Sequence, residues 1–148
     1  MKIYLDVCCL NRPFDDRRQE RIRFESEAVI TILDRCCSKT LTLLSSELVD
    51  LEISKIPDDD RKQKVLLLSS ITKINIVIDD EIKHRAKELY KLGFKSFDAL
   101  HIACAEKGQA DVFLTTDDHL LKKAVSQKEF IKVRFENPLK WLMEEFIK

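Results

Sequence analysis

Glycine is nearly absent from this sequence: Gly93 and Gly108 are the only two among 148 residues. Neither G-x-G-x-x-G nor G-x-x-x-x-G-K-[ST] can be formed, which excludes a Gly-rich phosphate cradle of either kind. Cysteine is present but in no useful pattern. Cys8, Cys9, Cys36, Cys37 and Cys104 are two adjacent pairs and a single residue, an odd count with no C-x-x-C. That argues against a disulfide framework and against a zinc site. Reduced, mostly buried thiols in a cytoplasmic protein are the simplest account. Aromatics are few, with eight Phe, two Tyr and one Trp, and form no obvious platform for stacking bases. Net charge is also missing: 26 basic residues balance 26 acidic ones. Bulk charge therefore cannot hold a polynucleotide, and any such binding needs a local basic patch or a metal ion. No apolar run approaches the roughly 18 residues of a membrane span, so no membrane association is expected. The start of the chain lacks a basic region followed by an apolar stretch, and no signal peptide is expected.

What is present suits a folded domain. Apolar residues make up 45% and charged residues 35%, enough of both for a core and a solvated surface. The length fits one domain, residues 1–148, with no internal repeat or linker. Ile3, Tyr4 and Leu5 read as a short buried strand, which Asp6 ends. Val7 to Asp16, with Asn11 and Pro13, reads as a loop or irregular turn. Glu20 to Cys37 has helical apolar spacing. Leu41 to Leu44 is a second strand, and Ser45 or Ser46 can cap a helix through Leu48, Val49, Glu52 and Ile53 that Pro57 closes. The Asp58–Asp60 run reads as a solvated helix start, followed by a helix to about Ser70. Ile74 to Ile78 is a third strand, and Asp79-Asp80 opens a helix that Gly93 ends. Ser96 starts another helix, Val112 to Leu114 is a fourth strand, and a helix from Leu120 follows. Ile131, Val133 and Phe135 alternate as a half-exposed fifth strand before a closing helix at Pro138 to Phe146. Strands alternating with helices predict an α/β domain with a central, mostly parallel sheet flanked by helices.

Four acids stand at distinctive places in that scheme. Asp6 and Asp117 follow strands, Glu52 lies in the helix after the second strand, and Asp98 lies in the first turn of its helix. Parallel strands end on one edge, where the following helices begin and where ligands bind in open α/β sheets. The four carboxylates can converge there, with the first strand central and beside the fourth. Converging carboxylates repel one another unless a cation binds, and oxygen donors suit Mg²⁺ or Mn²⁺. Such a centre points to phosphodiester hydrolysis. Each acid also has a plainer reading. Glu52 can be a surface charge, although Leu48, Val49 and Ile53 crowd it; Asp98 can satisfy helix N–H groups; Asp117 can be a helix cap. Glu47 and Asp118 are neighbours that could hold the roles of Glu52 and Asp117.

Ile3-Tyr4-Leu5-Asp6, Ser46 to Glu52, Phe97 to Ala103 and Leu114 to Asp117, in that order, resemble the PIN-domain family. These are metal-dependent ribonucleases that include the VapC-type toxins of toxin–antitoxin pairs. The resemblance implies a Mg²⁺- or Mn²⁺-dependent endoribonuclease with Asp6, Glu52, Asp98 and Asp117 as its acidic cluster. It also implies a homodimer and a cognate antitoxin. Thr115 matches the hydroxyl residue two positions before the last acid. Val7 and Cys8 depart from the family, which has a Ser or Thr and an Asn there; that removes a polar contact, which Asn11 could replace. A degenerate, non-catalytic module binding RNA or protein is the alternative that this departure supports, against the retention of all four acids. A phosphatase of the haloacid-dehalogenase type would need a second Asp where Cys8 stands.

Arg12, Arg17, Arg18, Arg21 and Arg23 follow the Asp6 segment and are placed to meet RNA phosphates, Arg12 first among them; Glu20 and Glu25 are interspersed, so a solvated helix face is an equal reading. His101 stands one helical turn from Asp98 and reads best as a packed, hydrogen-bonded residue. His84 and His119 read as surface residues. Cys8 and Cys9 lack a partner base and read as packing residues rather than nucleophiles.

Overall fold

Short β-branched and leucine-rich runs make the strands, and in a computed structural model, which describes residues 1–146, they pair side by side in one sheet. β1 (Lys2–Leu5), β2 (Thr42–Ser46), β3 (Ile74–Ile76), β4 (Val112–Leu114) and β5 (Arg134–Glu136) are all parallel, in the order β3-β2-β1-β4-β5. The first strand is central. Ile3 lies between Leu43 and Val112, and Tyr4 between Leu44 and Phe113, so β1 is buried on both faces and both edges. A strand so enclosed must be apolar throughout, which is why its sequence shows no alternation.

Eight helices flank this sheet among the described residues: α1 (Val7–Asn11), α2 (Glu20–Cys37), α3 (Glu47–Ser54), α4 (Asp59–Ser69), α5 (Asp80–Lys91), α6 (Ser96–Lys107), α7 (Asp118–Ser126) and α8 (Pro138–Phe146). None is long and apolar enough to cross a membrane. α1 and a 3-10 turn at Arg12–Phe14 replace the loop expected from Val7 to Asp16. Five residues are too few to display a helical period. Burial of Val7, Cys9 and Leu10 against the core makes the turn of helix worthwhile.

The chain leaves β1 toward β2 and β3, then returns to the other side of β1 as β4 and β5. The reversal falls between β1 and β4, and the ends of these two strands define the crevice where α/β sheets receive ligands. Two caps aim helices at that crevice. Ser46 caps α3 by accepting from the Val49 amide at 3.3 Å. At the end of α5, Gly93 takes φ 104, its amide donates to Tyr90 O at 2.9 Å and the Phe94 amide to Leu89 O at 3.4 Å. This left-handed stop suits glycine alone, and Phe94 and Leu89 are both buried beneath it. The chain can therefore turn at once into α6, which carries Asp98.

Candidate active site

Asp6 ends β1 in extended backbone, φ −64 and ψ 150, and stands before α1 without using its side chain as a cap. Its amide donates to Leu114 O at 3.0 Å, which ties the end of β1 to the end of β4. Its carboxylate Oδ2 accepts from Thr115 Oγ1 at 2.8 Å. Thr115 Oγ1 in turn accepts from the Asp117 amide at 3.1 Å. One buried hydroxyl therefore fixes the distance between the first and last acids. Cys8 adds to this joint: its Sγ lies 3.3 Å from Thr115 Oγ1 and accepts from the Thr116 amide at 3.4 Å. The thiol occupies a hydrogen-bonding position, a role that nothing in the sequence shows for Cys8. Cys9 donates to Leu114 O at 3.3 Å, and burial pushes its thiol well up, as befits a packing residue.

Asp98 projects from the first turn of α6, half-buried. Burial raises its pKa, and the like charges of Asp6 and Asp117 raise it further, against smaller opposing effects of His101 and Lys95. Asp6 is likewise raised, first by burial, with His101 and the Thr115 hydroxyl pulling it back and Glu52 pushing it up. The charges felt by Asp98 place it in one electrostatic neighbourhood with Asp6 and Asp117, and Glu52 is felt from the side of Asp6. Asp117 also caps α7, its Oδ1 accepting from the His119 amide at 3.0 Å and the Leu120 amide at 3.3 Å. Asp98 and Asp117 line a cleft of about 170 Å³ together with Lys95, His119 and Lys123.

Glu52 is reached from a different direction. His101, 2% exposed, sets its Nε2 against the Glu52 carboxylate in a short contact. The other ring nitrogen, Nδ1, lies 2.7 Å from the Tyr4 hydroxyl, which lies 2.8 Å from Ser46 Oγ. His101 is thus packed and hydrogen-bonded. The involvement of Tyr4 and Ser46 was open to inference, since a buried tyrosine hydroxyl needs a partner. Glu47 turns elsewhere, accepting from the Ile78 amide at 2.7 Å. Asp118 is held outside by Arg21, bidentate at 2.7 and 2.8 Å, which lowers its pKa.

The arginines are mostly engaged. Arg12 donates to Glu25 at 2.8 Å and to Asp15 at 3.2 Å. Arg21 joins Glu25, Asp118 and Thr116 O, and Arg18 is paired with Asp16. Asn11 donates to Val7 O at 3.1 Å and accepts from Arg61 at 3.3 Å. Arg12 and Asn11 therefore brace the wall that follows Asp6.

The donor set at the crevice consists of carboxylates, the chemistry of a hard divalent cation. Two of them are held above the usual carboxylate range by burial and by neighbouring carboxylates, Asp98 by Asp6 and Asp117 and Asp6 by Glu52, so a cation would relieve a repulsion already present. Among the described residues no three His, Cys, Asp or Glu side chains are gathered into a ready-made cage.

A family model for the PIN domain matches residues 3–126. No curated protein matches the chain. Nine chains of solved structures do. One belongs to the crystal structure of VapBC2 from Rickettsia felis bound to a DNA fragment from their promoter: 17% identity, TM-score 0.63, covering 93% of this chain and 98% of that one. At that identity the likeness is one of fold. The family match runs from Ile3 in β1 to the end of α7 and includes Asp6, Glu52, Asp98 and Asp117, and the chain belongs to the PIN-domain family.

Proposed function

We propose that this chain is a Mg²⁺- or Mn²⁺-dependent endoribonuclease and the toxin of a toxin–antitoxin pair. The observation that supports it best is the repulsion that Asp98 feels from Asp6 and Asp117 at the reversal point of the sheet. In this reading those three carboxylates hold the metal, and Glu52 joins them or orients the attacking water. The bound ion supplies water activation and stabilises negative charge on the phosphate. Thr115 keeps the Asp6 carboxylate turned toward Asp117 through its two hydrogen bonds. Lys95 and Lys123, on the cleft beside Asp98, offer cations to the RNA backbone. Arg12 and Asn11 contribute by shaping the α1 wall along which the strand would lie. Likeness of fold to a chain of a VapBC complex supports an antitoxin protein as partner, and family membership supports a homodimer.

The test is cleavage of single-stranded RNA by the purified protein and by Asp6→Asn, each with Mg²⁺, Mn²⁺ or EDTA. Asp6→Asn keeps the side-chain shape and removes the charge. Cleavage by the wild type in Mg²⁺ or Mn²⁺, lost in EDTA and in the variant, is the expected result. Cleavage that persists in EDTA, or is equal in both proteins, would rule the mechanism out. A wild type inert toward every RNA in Mn²⁺ would favour a non-catalytic binding module.

A further inference from the structure

The acids at the crevice are held by different means. Asp6 and Asp117 are fixed locally through Thr115, within the ends of two adjacent strands. Glu52 stands on α3, and the partner that reaches it comes from α6 across the domain. Behind His101 the contact continues inward. Tyr4, wholly buried in the central strand, has its hydroxyl between His101 Nδ1 at 2.7 Å and Ser46 Oγ at 2.8 Å. Ser46 Oγ already accepts from the Val49 amide, the N-cap bond of the helix that bears Glu52. A closed circuit results: the cap of α3, the central strand, α6, and back to Glu52 on α3.

Donor bookkeeping gives this circuit a direction. A carboxylate only accepts, so the His101 Nε2 facing Glu52 carries a hydrogen. The phenol remains protonated because burial drives its pKa well up, with Cys104 adding to the effect. In the neutral imidazole the Tyr4 O–H donates to Nδ1 and so selects the tautomer that leaves Nε2–H for Glu52. The ring has little freedom to turn, since it is edge-on to Tyr4 at 5.8 Å and to Phe113 at 6.4 Å.

We propose that Tyr4 and His101 are positioning residues for Glu52: the buried Ser46–Tyr4–His101 chain presents Nε2–H to the Glu52 carboxylate and sets the face that Glu52 turns to the crevice. The inference rests on the proposed nuclease reading for the task Glu52 performs, whereas the hydrogen-bonded chain can be tested without it. A Tyr4→Phe substitution removes one oxygen and leaves the ring stacked on Phe113, with centroids 5.1 Å apart, so the fold is retained.

The experiment uses the full chain without added cation, with ¹⁵N-labelled imidazoles, and compares wild type, Tyr4→Phe, Glu52→Gln and the double variant. In the wild type a slowly exchanging Nε2–H resonance of His101 is expected, and Tyr4→Phe should broaden it or speed its exchange. Thermal melts of the four proteins should show Tyr4 and Glu52 coupled rather than additive. In RNA cleavage, Tyr4→Phe should lower kcat by about 10- to 100-fold with little change in KM. His101→Gln, whose amide can supply an N–H near the same place, should retain more activity than His101→Ala. Additive melts together with an Nε2–H signal unchanged by Tyr4→Phe would overturn the proposal, as would a Tyr4→Phe enzyme with wild-type kcat. If the wild type cleaves no RNA, the nuclease reading fails, and the resonance and the melts still decide the positioning role.

Discussion

Glu25, 1% exposed, is met by three donors: Arg12 at 2.8 Å, Arg21 at 3.1 Å and Asn137 at 2.6 Å. The half-buried Asp98 side chain has no hydrogen bond or ion pair among the described residues, and the charges it feels most are those of Asp6 and Asp117. The first arrangement is what folding requires of a buried acid: its charge is matched and its lone pairs are used. It joins α2, the segment after α1 and the start of α8 into one joint. The second arrangement costs stability and pins nothing together. Under the proposed nuclease reading a bound cation completes such a cluster, and the contrast would then separate structural acids from functional ones more sharply than burial does.

Neutralising each acid in turn should break that contrast most plainly. Asp98→Asn should reduce RNA cleavage by orders of magnitude, because it removes a charge expected to hold the cation, yet it should leave the protein folded and no less stable. Cleavage within about threefold of wild type would remove Asp98 from the proposed centre. Glu25→Gln should do the reverse to the scaffold. Two guanidinium groups would lose their shared countercharge, and breaking a fully buried pair costs about 3–5 kcal/mol. Arg21 is about half exposed at 51% and its share is screened, so a loss of about 2–3 kcal/mol in urea unfolding is expected. A change of less than about 0.5 kcal/mol would mean that the hub is ornamental to stability.

The two kinds of acid were not equally legible in the sequence. Strand ends, helix starts and the apolar runs place Asp6, Asp98 and Asp117 on one edge, because parallel topology leaves little choice once five strands alternate with helices. The Glu25 hub was not visible in that way. The pattern of Arg12, Arg21 and Arg23 around Glu20 and Glu25 displays charges without partners, and Asn137 lies 112 residues away from Glu25. The i,i+4 spacing of Arg21 and Glu25 was the one local signal of pairing. The helix at Val7–Asn11 escaped for a similar reason: its hydrophobic contacts are tertiary and its length is below one clear period. The fifth strand, expected from the alternation of Ile131, Val133 and Phe135, is a shorter one at Arg134–Glu136, where pairing with β4 rather than side-chain pattern sets its limits.

Adding Mn²⁺ sharpens the same comparison by supplying the missing charge. A cation that binds the native crevice and not the unfolded chain stabilises by mass action, by about 2.7 kcal/mol at a hundredfold excess over Kd. The melting temperature should rise in wild type and in Glu25→Gln, and stay flat in Asp6→Asn. An equal rise in Asp6→Asn would place the binding elsewhere on the surface.

The smallest effect, and the one most specific to the two kinds of acid, is the pH dependence of stability measured in EDTA. Asp98 has its folded-state pKa raised, by burial first and then by Asp6 and Asp117. Between its unfolded and folded pKa the native state holds more protons, so stability falls as pH rises through that window. Its penalty is absent below the ordinary carboxylate range and grows as pH rises toward the folded pKa. Asp98→Asn should therefore raise the melting temperature at pH 7, with the gain fading in acid. Asp118 has the opposite sign, because its hydrogen bonds with Arg21 lower its pKa. What it contributes is present above the unfolded pKa and lost as pH falls through the folded one. Asp118→Asn should thus lower the melting temperature slightly at pH 7, and this loss should also fade in acid. Plotted against pH, the two variants should approach the wild-type curve from opposite sides as pH falls. Curves displaced to the same side, or parallel to wild type throughout, would show that the repulsion at Asp98 is not carried by its charge.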